Sequence, residues 1–347
     1  MMGSASRAWT LIAAVLCLLA APLAAQDRLP PTLINTSSAL SPEQQQLTDS
    51  YIHHWVTQLT TGTDEQVTRA RDKMIEPMVQ GPSKIFASAY SASLGIKLLQ
   101  EGLNAERLIV RLNAMMIASR LTPADAVAMV EKGLQDGNPA IRYAAARAAN
   151  DIASREDDKA PAPIQIRLLD ALTNQLNGER VQLVLEQVLL SVSGLDIPEA
   201  SDRLLNGLNQ RVALHVKEPA TPAGADREAM ARLFRRYVLQ APENDEVVRK
   251  LTQVAFRHLD LSVRLLEGGK QPEAVVQDRL AMALLADRIL RWAAERRIAP
   301  GAKLPESVEK ALPAGNTQLA RVYIEEWRKL LTTEQAGFVQ AQLALPD

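Results

Sequence analysis

The sequence predicts an all-α chain built from stacked helix pairs, and three observations carry that expectation. Aromatic residues are only 4% of the 347 residues, while Ala and Leu supply most of the 47% hydrophobic content, a balance that favours helix over sheet. Apolar residues recur at helical spacing in one segment after another, without a convincing alternating run. The segments also come in pairs. Their second members start near 64, 104, 138, 179, 226, 272 and 317, which is 40, 34, 41, 47, 46 and 45 residues apart.

The N-terminal stretch MMGSASRAWTLIAAVLCLLAAPLAAQD stands apart from the pairs. One Arg, an apolar run from Ala8 and small residues ending at Ala25 form the pattern of a signal peptide. Residues 1–25 are therefore expected to be removed, leaving Gln26 at the start of an exported chain, periplasmic or secreted. An uncleaved anchor competes with this reading, because the run is near the lower length limit for a span. Cys17 is the only cysteine, so the exported chain would have no disulfide, and no later stretch is apolar enough to enter a membrane.

Residues 26–40 are rich in Pro, Ser and Thr and read as a linker. Ser41-Pro42-Glu43-Gln44 is a capping box that opens a helix over 42–60, with Tyr51, Trp55 and Leu59 on one face. Its partner is 64–80. The following pairs are 83–101 with 104–120, and 122–135, opened by Thr122-Pro123-Ala124-Asp125, with 138–153. Further along come 161–177 with 179–193, 196–214 with 226–240, 243–266 with 272–297, and 305–312 with 317–331. A closing helix falls near 333–344. That makes about seven pairs, an N-terminal part over 41–216 and a C-terminal part over 226–347. Between them 217–225, within Lys217-Glu218-Pro219-Ala220-Thr221-Pro222-Ala223-Gly224-Ala225, reads as a loop, either a mobile insertion or a weak domain boundary.

The segment NPAIRYAAARAANDIA, 138–153, is the most informative. Asn138 suits an N-cap and Pro139 the first helical position, where its missing N–H costs nothing. Ile141, Ala144, Ala145, Ala148 and Ile152 then mark one face, nearly all Ala, which lets another helix approach closely. Ala145 is expected at that contact.

Asp136-Gly137-Asn138-Pro139-Ala140-Ile141-Arg142 with Ala144, Ala145 and Ala148 resembles the second helix of a HEAT repeat, and Val110-Arg111 with Ala114 looks like a weaker copy. Ala149 stands where the family usually has Leu. The resemblance implies an α-α superhelix, a HEAT/ARM-like solenoid, of the kind that mostly serves as a scaffold for other macromolecules. It also implies that Arg142 is structural and bonds a turn residue of a neighbouring repeat, with Asp136 of suitable character.

Little in the sequence points to catalysis, a cofactor or a metal. His53 and His54 are adjacent on a helix and point about 100° apart, so they cannot chelate one ion well. Without Cys in the exported chain a structural zinc site is not expected, and no His-Glu-x-x-His occurs. All four histidines, His215 and His258 included, read as surface or partly packed residues. Gly268-Gly269-Lys270 lacks the upstream glycine of a phosphate loop and reads as a turn that ends a helix. Asp157-Asp158 and Glu325-Glu326 read as solvated charge, and Met115-Met116 as core. With no evident titratable cluster the chain reads as a binding protein. An accessory or chaperone subunit of an envelope enzyme complex, like the lyase-type HEAT-like proteins, is the alternative.

Charge gives the one hint of a partner. The exported chain is nearly neutral, which argues against nucleic acid. Yet 19 of the 28 arginines fall in the second helices, whose 21 basic and 16 acidic residues give a net charge of +5. The densest group is Arg232, Arg235 and Arg236 with Arg288 and Arg291. If second helices line a concave face, as in HEAT arrays, these arginines suit an acidic protein or peptide. Pairing with acidic turn residues inside the fold is an equally good account of them.

Overall fold

Several helices begin where a short polar side chain takes one of the first free amides. Ser41 accepts from the Gln44 N–H while the Gln44 side chain accepts from the Ser41 N–H, completing the expected box, and Thr63 with Gln66 repeats it at the next helix. A computed structural model describes residues 27–155, 159–240, 245–269 and 271–346. The expected signal peptide and Asp157-Asp158 lie outside these residues, as does Lys270. The described residues are all-α, with no strand.

The chain divides into two compact units, one running to Leu168 and the other from Leu169. The first holds α1 (Pro31–Ile34), α2 (Pro42–Thr61), α3 (Asp64–Val79), α4 (Lys84–Lys97), α5 (Leu108–Ala118), α6 (Pro123–Leu134) and α7 (Pro139–Ala153). Helix α8 (Ala162–Gly178) spans the division. The second unit holds α9 (Gln182–Gly194), α10 (Pro198–Lys217), α11 (Gly224–Gln240), α12 (Asp245–Glu267), α13 (Glu273–Ala293), α14 (Thr317–Leu331) and α15 (Gln340–Leu343).

Within each unit, first helices pack on first helices and second on second. In the first unit α2, α4 and α6 make one row and α3, α5 and α7 the other. In the second, α9, α11 and α13 form one row, and α10, α12 and α14 the other. Helices stand at both members of six of the expected pairs among the described residues. The seventh lacks its first member. Residues 305–312 give only a 3₁₀ turn at Val308–Lys310, because the short stretch between Pro305 and Pro313 cannot repay helix nucleation. Left without that partner, α14 packs on α12, a first helix, although its sequence reads as a second helix. The closing helix shrinks to α15, since Gly337 turns the chain at φ 69°.

Two other expectations change. The stretch 26–40 is not a free linker over its described part: Leu29, Leu33 and Ile34 are buried, and the Ile34 carbonyl accepts from the Ser83 N–H. Its few apolar residues hold it down despite the polar composition. The 217–225 loop neither divides the units nor stands free. Only six residues separate α10 from α11, the Thr221 carbonyl accepts from Arg279, and Ala223 is buried.

Pro77 sits inside α3, where it has no N–H for the Lys73 carbonyl. The Tyr51 hydroxyl takes over, donating to that carbonyl at 2.6 Å, and the Tyr90 hydroxyl donates to the next one, Met74, at 2.9 Å. Tyr51 of α2 thus satisfies the carbonyl that the proline leaves open, and Tyr90 of α4 ties the same turn to a second helix. Among the described residues no helix is long and apolar enough to cross a membrane.

Candidate functional site: the arginine-bearing helices α11 and α13

Helices α11 and α13 lie side by side, with Phe234 meeting Trp292 edge to face at 5.5 Å between centroids. The five arginines singled out in the sequence all lie on this pair, but they do different things. Arg236 donates to the carbonyls of Ser193 (2.7 Å) and Leu195 (3.2 Å), closing the open end of α9. Arg291 donates to the Pro305 carbonyl at 2.6 Å, pairs with Asp287 at 3.0 Å and lies over the Trp327 ring. These two guanidiniums are engaged by bonds within the fold. Arg232 and Arg235 share the carboxylate of Glu228, at 3.2 and 3.4 Å, in exposed pairs worth little in water. Arg288 is exposed and has no bonding partner among the described residues. Three of the five therefore remain at the surface: Arg232, Arg235 and Arg288.

Arginines closing helix ends recur along the chain. Arg155, just after α7, donates to the carbonyls of Ser119 and Leu121 beyond α5, as Arg236 of α11 does beyond α9. In the motif segment Asn138 caps the Ala140 N–H at 2.9 Å, Pro139 opens the helix, and Ile141 and Ala145 are fully buried. Arg142 is structural, but it reaches the carbonyls of Asp136 (3.0 Å) and Gly137 (3.1 Å) in the turn before its own helix. The Asp136 carboxylate instead takes Arg111 of the preceding pair, at 2.6 and 2.8 Å. Arg111, the residue of the weaker motif copy, thus makes a helix-to-helix tie to the Asp136 carboxylate.

Beneath α11 and α13 lies a buried polar cluster that the sequence reading missed. Asp226, in the first turn of α11, accepts from Arg211 Nε and meets His215 Nε2 at 2.5 Å; both come from α10. Arg279 of α13 reaches His215 Nδ1 at 2.9 Å and the Thr221 carbonyl at 2.8 Å. A guanidinium can only donate, so His215 Nδ1 is the acceptor, and Nε2 carries the proton that faces Asp226. His258 of α12 lies edge-on to His215, with centroids 6.3 Å apart. All of these side chains are buried. His215 and His258 are therefore core residues rather than surface ones. The signal was present: Arg211 and His215 are four apart on the same stripe as Leu204, Leu205 and Leu208, and Arg279 shares one with Met282 and Ala283.

The electrostatics follow from burial. Desolvation pushes His258 down to about 3 and also lowers His215, against the pull of Asp226. Burial alone would raise Asp226, but Arg211 and His215 more than reverse that and hold its carboxyl well below the usual range. Burial brings Arg279 down to about 10, against the attraction of Asp226 and Asp278, so it stays charged at neutral pH.

Two further buried carboxylates fix α14. Asp260 accepts from Arg264, Arg321 and Arg328, and Asp287 accepts from Arg291, Ser307 and the Trp327 indole. Elsewhere, Glu325 pairs with Arg328 at the surface, and Gly269 makes the expected helix-ending turn at φ 67°. Of Met115-Met116 only Met115 is core; Met116 is 47% exposed. The described residues contain no group of three or more His, Cys, Asp and Glu side chains placed to hold one metal ion.

No protein-family model matches the chain, and no curated protein matches it. A solved structure of an engineered protein aligns with 69% of this chain and 97% of its own, at 16% identity. Its TM-score is 0.40, too low a likeness to carry an argument.

Proposed function

We propose that this chain is an exported binding scaffold, an α-α superhelix of the HEAT-like kind, which takes an acidic protein or peptide segment along α11 and α13. The observation that carries the proposal is Arg288, exposed and unspent, on a helix beside the one bearing Arg235, itself 64% exposed at the side chain. Holding such guanidiniums apart from buried carboxylates leaves them free to form forked bonds with a partner's carboxylates. The rows of stacked helices would supply a rigid frame for that surface.

The test uses a Glu/Asp-rich fluorescent peptide and the exported form of the chain. Binding should weaken at least tenfold when Arg232, Arg235 and Arg288 are all changed to Glu, and it should weaken with added salt. Arg236 and Arg291 are left intact, because reversing them would break helix closures. Equal binding by the triple variant would reject this surface. Export is checked separately: mass spectrometry of exported material should find Gln26, or a neighbour, at the N-terminus, and Met1 or Met2 there would mean an uncleaved anchor.

A further inference from the structure

The cluster under α11 and α13 has more positive charge and more donors than its own groups satisfy. Arg211 and Arg279 carry one positive charge each; Arg211 is bonded to the Asp226 carboxylate, whereas Arg279 bonds His215 and the Thr221 carbonyl and no carboxylate. His215 is neutral by its bonding pattern, and a neutral His258 follows from its complete burial. Asp278, half-buried, acts on Arg279 from a distance but makes no hydrogen bond with it. A buried charge of about one unit is thus left without a contact partner, which is costly in a protein interior.

The donor inventory points the same way. Arg211 Nη2, Arg279 Nε and Nη1, and both ring nitrogens of His258 are buried and have no hydrogen-bond partner among the described residues. Three of these five atoms belong to cations that can only donate. All three side chains adjoin the Asp226–His215 pair: His215 bridges Asp226 to Arg279, Arg211 grips the other oxygen of Asp226, and His258 abuts His215. A metal ion is the wrong chemistry for guanidinium donors, and a large organic anion has no place among fully buried side chains.

We infer that Arg211, Arg279 and His258 form a buried site for one small monovalent inorganic anion of the halide type, which completes the charge and hydrogen bonding of the second unit. Such an ion would be structural. It would lock α10, α11, α12 and α13 together beneath the exposed arginines, and would not compete with a peptide at the surface.

The experiment compares thermal unfolding of the exported chain in sodium chloride, sodium bromide and sodium gluconate at equal ionic strength and pH 7.5. A specific site raises Tm in chloride and bromide over gluconate, and the rise grows with the logarithm of halide concentration. The same Tm in all three salts would overturn the inference, leaving water as the occupant. In the Arg279→Met variant the halide-dependent rise should vanish; its persistence would also overturn the assignment. If that variant does not fold, crystals of the unaltered protein grown in bromide decide: an anomalous peak within hydrogen-bond distance of Arg211 or Arg279 supports the site, and no peak there rejects it.

Discussion

Ala145 shows how one side chain sets the distance between two helices. A Cβ placed on Gly133 of α6 would lie 2.8 Å from the Ala145 Cβ of α7 and 2.8 Å from the Met115 sulfur of α5. Three helices therefore meet where there is room for hydrogen on one and methyl on the next. Ala145→Leu is expected to destabilise the protein by about 1–3 kcal/mol through overpacking, read as a drop in the urea midpoint at unchanged slope. A neutral result would mean that the contact is looser than these distances require. The run of alanines made this face legible in the sequence. Gly133 was not legible, because a glycine late in a helix reads equally well as a stop signal.

At the scale of the element, α14 is the most instructive. Its strong amphipathic pattern, with Ala320, Ile324, Trp327 and Leu331 buried, was readable, but its place was not. That place is chosen by two acids on other helices, Asp260 and Asp287, more than by its position in a series of repeats. Removing Asp287 should leave the buried Trp327 indole N–H without an acceptor. Asp287→Ala is therefore expected to cost about 1–3 kcal/mol. The distinguishing readout is tryptophan fluorescence: Trp327 should become more exposed before the rest of the unit unfolds. A single transition of unchanged midpoint would show that apolar packing alone holds α14 in place.

At the scale of the molecule, the buried histidines make stability depend on pH. His258 titrates near 3 in the folded chain but near 6.5 when unfolded, so between those values the unfolded state takes up a proton that the folded state refuses. Its contribution is complete above about pH 6.5 and falls steadily below it. His215, also lowered, acts in the same direction. Asp226, held well below its usual range, adds a loss only at lower pH, as its unfolded form begins to protonate near 4. The urea midpoint should accordingly fall between pH 7.5 and 5, before most carboxylates titrate, and His258→Leu should flatten that slope. A midpoint constant over this range would contradict the assignment of both histidines to the core.

The all-α character of the described residues, and where most of their helices begin and end, could be read from the sequence. Those features rest on local physics: caps such as Ser41 and Asn138, prolines at first helical positions, and the 3.6-residue recurrence of Leu and Ala. Tertiary structure alone decided which charges are spent. Arg236, Arg288 and Arg291 look alike in the chain, yet one closes α9, one faces solvent and one lies over Trp327. Likewise Arg211, His215, Asp226, His258 and Arg279 are spread over 69 positions and meet only because α10, α11, α12 and α13 pack together. A guanidinium reaches several ångströms from its backbone, and its partner is fixed by whichever helix end the packing brings within that reach. No local pattern encodes that distance.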